Sequence, residues 1–423
     1  MSQTVAVFAD RLLNPVTGAF VERPVVVAGD GRVRAAGRRE TVAVPADAEK
    51  VDASGLTLLP GLIDCHVHLC SAGTGIDMTE RVMTPPSLAL LRAVAACRLT
   101  LEAGFTTVRD AGGAPNGLRL AVDRGFFPGP RMLLAITILS QTGGHADGHF
   151  PCGVSFSGLG LSAEGGEVPL SVVDGVENMR QRVREIIRAG ADWIKLCTSG
   201  GVLSPGDSPH HAAFTIDEIR AAVEEAATQG RRVMSHAQAA AGIRNALNAG
   251  VFTIEHGIWI EDDIIELMLR GGNVLVPTLV APQWVIRHAE NGRMPAYAAT
   301  KGRQVVADHS ASIRKAIESG VTVAFGTDTG VGPHGSMGEE FLLLNRLGMT
   351  PLDCIRSATV VAAKALSIEK MAGHVGEGAW ADLIGVPGDP LANLELVAKP
   401  ENVQLVIKGG AVMKSRAEIP APV

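Results

Sequence analysis

The stretch Pro60-Gly61-Leu62-Ile63-Asp64-Cys65-His66-Val67-His68-Leu69 decides how the chain is read. Proline and glycine punctuate the backbone, a short apolar run follows, and the run ends in His-Val-His. On a strand, side chains alternate, so His66 and His68 leave the same face two residues apart. That spacing suits two imidazoles closing on one metal ion, with zinc–nitrogen bonds of about 2.0–2.1 Å.

Working outward, short β-rich runs recur, and several end in residues of the same kind. Trp193–Leu196 carries Lys195, Arg232–His236 ends at His236, Thr253–His256 ends at His256, and Val321–Phe325 leads to Asp328. Leu62–His66, Thr106–Asp110, Met132–Ile136 and Asn273–Val276 complete a set of eight candidate strands. Helical stretches separate many of them, among them Ile216–Gln229, Ile243–Ala249, Asp262–Arg270 and Asp308–Ser319. Several stop at glycine (Gly104, Gly190, Gly230, Gly250, Gly271, Gly320), the residue that accepts the left-handed turn after a helix. The alternation predicts an α/β fold, a (β/α)8 TIM-like barrel rather than an open doubly wound sheet. A barrel gathers the C-terminal ends of its strands on one face. Two connections, Ser140–Ser171 and Ala281–Arg303, are expected to be long irregular binding loops, with Trp284, His288, His334 and Trp259 as candidate pocket walls.

Both ends of the chain read differently. Val25–Ala28, Gly29-Asp30-Gly31 and Arg32–Ala35 form a hairpin signal, and Val403–Ile407, Gly409-Gly410 and Ala411–Met413 form another. Neither end supplies enough strands for a stable sheet. The expected solution is a small β-sandwich built from both termini, residues 1–58 plus 375–423, beside a barrel at 59–374.

Composition narrows the class. Of 423 residues 46% are hydrophobic and only 4% aromatic, so the core must be mostly Ala, Val, Leu and Ile. Charged residues are 19%, below the usual quarter, which fits extensive buried surface, including the contacts of a homo-oligomer. A net charge of −6 without any basic stripe argues against nucleic acid as a partner. Six dispersed cysteines with no CxxC suit a reducing compartment. No run reaches about 18 apolar residues, and the first residues lack a basic, then apolar, leader. A cytoplasmic protein without a membrane span is the expectation. There is no GxSxG elbow and no HExxH pair, which removes the serine-hydrolase and zincin readings.

Lys195 carries the most chemical information. A lysine pointing into a barrel is deprived of solvent, so its amine tends toward the neutral, nucleophilic form. A neutral amine adds CO2 to give a carbamate, an anion whose two oxygens can bridge two cations. Asp328, behind an apolar strand, is equally costly unless paired or metal-bound.

The motifs Pro60–Leu69, Gly190–Gly201 (GADWIKLCTSGG), Ile254–Gly257 (IEHG) and Phe325–Gly330 (FGTDTG) together resemble the amidohydrolase superfamily, the binuclear kind with a carboxylated lysine on the fourth strand. Gln141–His149 (QTGGHADGH) resembles the branch of Xaa-Pro and Xaa-Arg dipeptidases and related amide and carbamate hydrolases. The resemblance implies that His66, His68 and Asp328 hold one divalent ion and His236 and His256 a second, with carboxylated Lys195 between them. Zinc is the expected metal, with manganese, cobalt and nickel compatible with the same donors. It further implies attack by a metal-bridging hydroxide, with Asp328 as proton shuttle and His145 beside the scissile carbonyl. Ser199, Gly200 and Gly201 would meet a substrate carboxylate. Relatives often carry tyrosine two residues after the fifth-strand histidine; here that residue is Gln238, which weakens a strict prolidase reading. The implied activity is hydrolysis of an amide in dipeptides or N-acyl amino acids, by a high-order homo-oligomer, with aromatic amides or carbamates as the alternative. Deamination is disfavoured, because the glutamate it needs three residues after the fifth-strand histidine is here Ala239.

Overall fold

The structure is a computed structural model that describes residues 4–75, 80, 83–149, 153–155 and 166–415. Cys152 and part of the Ser140–Ser171 connection lie outside the described residues. Eight parallel strands form a TIM barrel: Leu62–Val67, Phe105–Asp110, Arg131–Leu134 continued by Ile138–Leu139, Trp193–Cys197, Arg232–Ala237, Thr253–His256, Val274–Val276 and Thr322–Val323. The third strand is broken. Its first piece pairs with strand 2 and its second with strand 4, and Ile136 between them takes φ +62°. The eighth strand pairs over only two residues, yet the barrel still closes. Cys65 N donates to Phe325 O at 2.9 Å and His68 N to Thr329 O at 2.7 Å, linking strand 1 to the segment after strand 8.

Local sequence explains where the outer helices begin and end. Thr215 and Glu218 make a reciprocal capping box on helix Ile216–Thr228, satisfying backbone donors that a helix start leaves unpaired. Helix Ala240–Ala249 stops at Gly250, in the left-handed conformation (φ 94°) that glycine adopts without a Cβ penalty. Ala281–Arg303, expected to be irregular, is largely helical: Val280–Glu290 and the start of Ala296–Glu318 occupy it. No helix among the described residues is long and apolar enough to cross a membrane.

The two ends of the chain join in one eight-stranded sheet. Its path runs Ala411–Lys414, Leu405–Lys408, Leu383–Pro387, Glu49–Pro60, Val5–Leu13, Pro24–Gly29, Arg32–Arg38, with Phe20–Glu22 added to Val5–Leu13. Val5, Val7 and Ala9 share a core with Leu383, Leu405 and Ile407 from the far side of the order, so the sheet folds over onto itself as a sandwich. Alternate residues Ala6, Val25 and Val27 pack outward under the segment bearing Val42, Val44 and Ala48.

The sandwich also positions the barrel's first strand. Glu49–Pro60 runs straight into it through Gly61, whose N–H donates to Asp382 O at 2.9 Å. A Cβ on Gly61 would lie 2.1 Å from Thr106 Oγ1, so only glycine lets the first two barrel strands approach here. His66 and His68 stand one short strand beyond that contact.

Candidate metal centre and active site

His66, His68, Lys195, His236, His256 and Asp328 all reach the same cavity at the C-terminal end of the barrel. The donor atoms of His66, His68 and Asp328 lie within 4.8 Å of one another, a cluster able to bind a metal ion. Asp328 Oδ1 is 3.4 Å from His66 Nε2 and 3.2 Å from His68 Nε2. The His256 ring centroid is 5.2 Å from that of His66 and 4.6 Å from that of His236.

Each imidazole has one nitrogen occupied by the protein. Glu255 Oε2 accepts from His66 Nδ1 at 2.7 Å, and Gly112 O accepts from His68 Nδ1 at 2.8 Å. Gly200 O accepts from His236 Nε2 at 3.0 Å, and Thr278 Oγ1 lies 2.7 Å from His256 Nδ1. These contacts fix ring orientation and leave His66 Nε2, His68 Nε2, His236 Nδ1 and His256 Nε2 to the centre. Metal-ligating histidines are held this way by outer partners. Burial drives His66, His236 and His256 well below the usual histidine range, toward the neutral form a cation requires.

Lys195 is 2% exposed and its Nζ sits 3.3 Å from His66 Nε2. Burial lowers its pKa, and among the described residues no carboxylate lies within ion-pair reach of it. The Nζ group faces the lone pair of His66 Nε2, and burial disfavours its charged form. Burial pushes Asp328 upward, but His66, His68 and Lys195 outweigh it and leave the carboxyl below its ordinary value.

Backbone strain marks the same rim. Asp328 and His256 take φ +56° and +72°, and Thr278 takes +53°. Non-glycine residues seldom adopt such values, and they persist where the surroundings hold them at functional sites.

Comparison with known proteins agrees with this architecture. The amidohydrolase family model matches residues 57–413. The chain belongs to the amidohydrolase family. It is 35% identical over 365 residues to the ochratoxinase of Aspergillus niger, covering 84% of this chain and 75% of that protein. A prolidase complexed with N-methylphosphonate-L-proline superposes with a TM-score of 0.89 at 34% identity, covering 98% of this chain and 100% of the other. A Xaa-Pro dipeptidase with bound methionine gives 0.87 at 31%, covering 97% and 99%. This amidohydrolase is accordingly a hydrolase acting on C–N bonds in small molecules.

The walls of the amidohydrolase cavity, about 530 Å3 in volume, differ from the sequence expectation. Ser199, Gly200 and Gly201 are set back from it. Gly200 N donates to His211 O at 3.0 Å and Gly201 N to Asp207 Oδ2 at 3.1 Å, so both N–H groups are committed within their own loop. Ser199 Oγ accepts from Gln238 N at 2.8 Å. Leu203, Ser204 and Pro205 line the cavity instead. His288 holds Val331 O at 3.0 Å, and His334 is buried against Ser71 O at 3.0 Å. Trp259 stacks on His210, 4.0 Å between centroids, rather than facing the centre. His145 does reach the cavity, with its ring stacked on His236 at 4.1 Å. Gln238 borders a smaller adjoining pocket, and among the described residues its buried Oε1 has no hydrogen-bond partner.

Two residues escaped the sequence reading. Glu255 and Arg109 are both fully buried, and Arg109 Nη2 donates to Glu255 Oε1 at 2.9 Å. Arg109 also donates to Cys65 O at 2.7 Å and Thr253 Oγ1 at 3.2 Å, tying strands 1, 2 and 6 beneath the centre. The signal was available: a charge within an apolar strand run must find a partner.

Proposed function

We propose that this amidohydrolase is a binuclear metal-dependent enzyme that hydrolyses the amide bond of dipeptides or N-acyl amino acids. Lys195 carries the reading: a buried amine beside His66, lining the same cavity as His236 and His256 and with no carboxylate in ion-pair contact among the described residues, suits carboxylation into an anion that would help hold two ions. In this reading His66, His68 and Asp328 hold one ion and His236 and His256 the other, with zinc the expected metal. Two divalent ions, when bound, acidify the attacking water and polarise the scissile carbonyl.

The chain's own residues do the rest. Asp328, ionised and beside both strand-1 histidines, takes a proton from the attacking water and passes it to the departing amine. His145 contacts the substrate from the loop after the third strand, and Gln238 offers a side-chain oxygen that no group among the described residues pairs. Ser199, Gly200 and Gly201 shape the loop and do not grip a carboxylate. The apolar wall of Ile136, Ile138, Leu203, Met294 and Val331 favours a hydrophobic acyl or side-chain group, which keeps aromatic amides as a second reading. The protein is further proposed to be a cytoplasmic homo-oligomer, with its sandwich at 1–58 plus 375–423 and its barrel at 59–374. Two measurements test the proposal together. Elemental analysis should find about two divalent ions per chain. A panel of dipeptides, N-acyl amino acids and aryl carbamates should show turnover of the first two; carbamate-only turnover would refute the substrate assignment.

A further inference from the structure

A second, smaller cavity of about 50 Å3 adjoins the main one beside the candidate metal centre. The two share His236, His256, Asp328, Leu203 and Val331 along their boundary. The far wall is aliphatic. Val202, Ile258, Val285 and Val305, a buried cluster separate from the barrel core, form it together with Ala281. Two polar residues that border it are already engaged with His256. Thr278 Oγ1 lies 2.7 Å from His256 Nδ1, and His309 Nε2 lies 2.9 Å from His256 O.

Three residues of that wall stand on packed helices. Ala281 and Val285 belong to helix Val280–Glu290, and Val305 to helix Ala296–Glu318. Gly302 lets the two helices meet, since a Cβ there would lie 2.8 Å from Val285 Cγ1. A wall packed this closely does not give way easily, so size selects the occupant. One water needs about 10–15 Å3 of such volume, so the side cavity holds roughly three to five non-hydrogen atoms. An isopropyl or isobutyl group meets that limit; a benzyl group exceeds it. Moving an aliphatic group out of water and against this wall favours binding in proportion to the apolar area buried.

We propose that the side cavity is a specificity subsite for the side chain of a small aliphatic residue, such as alanine or valine, that flanks the scissile amide. The larger half of the substrate then occupies the main cavity. Because the two cavities meet at His236, His256 and Asp328, a group in the side cavity is attached close to the bond that breaks. Resting on the amide-hydrolase reading, this narrows the substrate class to amides of two unequal halves, with an aromatic side chain excluded from the smaller one.

The first measurement needs no turnover. Crystals of the parent under xenon pressure should hold a xenon atom among Val202, Ile258, Val285 and Val305, as apolar cavities do. Ala281→Val, which narrows the cavity, should weaken or displace it. The second measurement compares kcat/KM in two series, N-hexanoyl-Xaa and Xaa-Leu, with Xaa as glycine, alanine, valine and phenylalanine. In one series alone the value should rise from glycine to valine by at least roughly tenfold and fall again at phenylalanine. Val285→Ala should narrow the gap between valine and phenylalanine in that series, and Ala281→Val should move its optimum toward glycine or alanine. The other series should barely respond to either variant. A parent cavity without xenon, a preference for phenylalanine over valine in both series, or variants that shift both series alike would overturn the proposal. If the parent cleaves neither series, the amide-hydrolase reading fails, and the xenon result still decides whether the subsite exists.

Discussion

The floor of the active site and its wall are built in different ways. The floor consists of side chains at strand ends, held by partners on other barrel strands or the segments just after them: Glu255, across the barrel, for His66, Gly112 for His68, Thr278 for His256. The wall includes the loop around Leu203–Pro205 and the break in strand 3 at Ile136–Ile138, and the loop is held by long-range ties from Lys301 and Tyr297. A strand end fixes a side chain to within the pleat. A loop fixes it only as well as its ties do. Changes to the floor should therefore act on metal and chemistry together, and changes to the wall on substrate alone.

The sharpest way to break that distinction is Lys195→Ala. It is expected to remove metal and to lower activity by more than the roughly 10–100-fold typical of losing an outer partner. Elemental analysis beside kcat/KM reads both; a variant that kept two ions and near-parent activity would remove Lys195 from the centre. Next comes Glu255→Gln, which keeps the shape but gives up the charge facing His66 and Arg109. Metal affinity should fall by roughly 10–100-fold, as read by competition with a chelator. Unchanged affinity would show that the buried pair serves only the barrel's stability.

The same contrast explains what the sequence made legible. The barrel, the joined termini and the convergence of six side chains could be read because alternation and strand position set where His66, His68 and the others must point. The loop residues could not be read that way. Gly200 and Gly201 looked like carboxylate donors by resemblance, but their N–H groups are taken by His211 and Asp207, partners that only the folded loop brings near. Ala281–Arg303 looked irregular because its polar residues hide the helical pattern, and Pro295 at the N-cap of the second helix reads in sequence as a break. Arg109 and Glu255 sat in plain view within strand runs; their meaning depends on each other, 146 residues apart.

A smaller effect is expected from the wall. Leu203→Ala removes apolar surface from the cavity but leaves the backbone carbonyl that Tyr297 holds. KM for a hydrophobic N-acyl amino acid should rise roughly tenfold, in line with trimming methylenes from a pocket, with kcat and metal content nearly unchanged. A fall in bound metal would mean that wall and floor are one unit.

The smallest effect concerns the tie that holds the wall. Burial tends to raise the Asp207 carboxyl, but His145, Ser204 and Lys301 more than offset it and set the folded value below the ordinary 3.8. In the interval between the folded and unfolded values the unfolded chain binds more protons, so stability rises with pH there. The contribution is thus complete above the unfolded value and disappears as pH falls through the folded one. Asp207→Asn lacks this term at every pH. Its melting temperature should lie below the parent's at pH 7, and the gap should close as both are taken from pH 5 toward pH 2.5. A gap that stayed constant across that range would show that Asp207 acts through shape alone, and that its charge contributes nothing to holding the loop against His145.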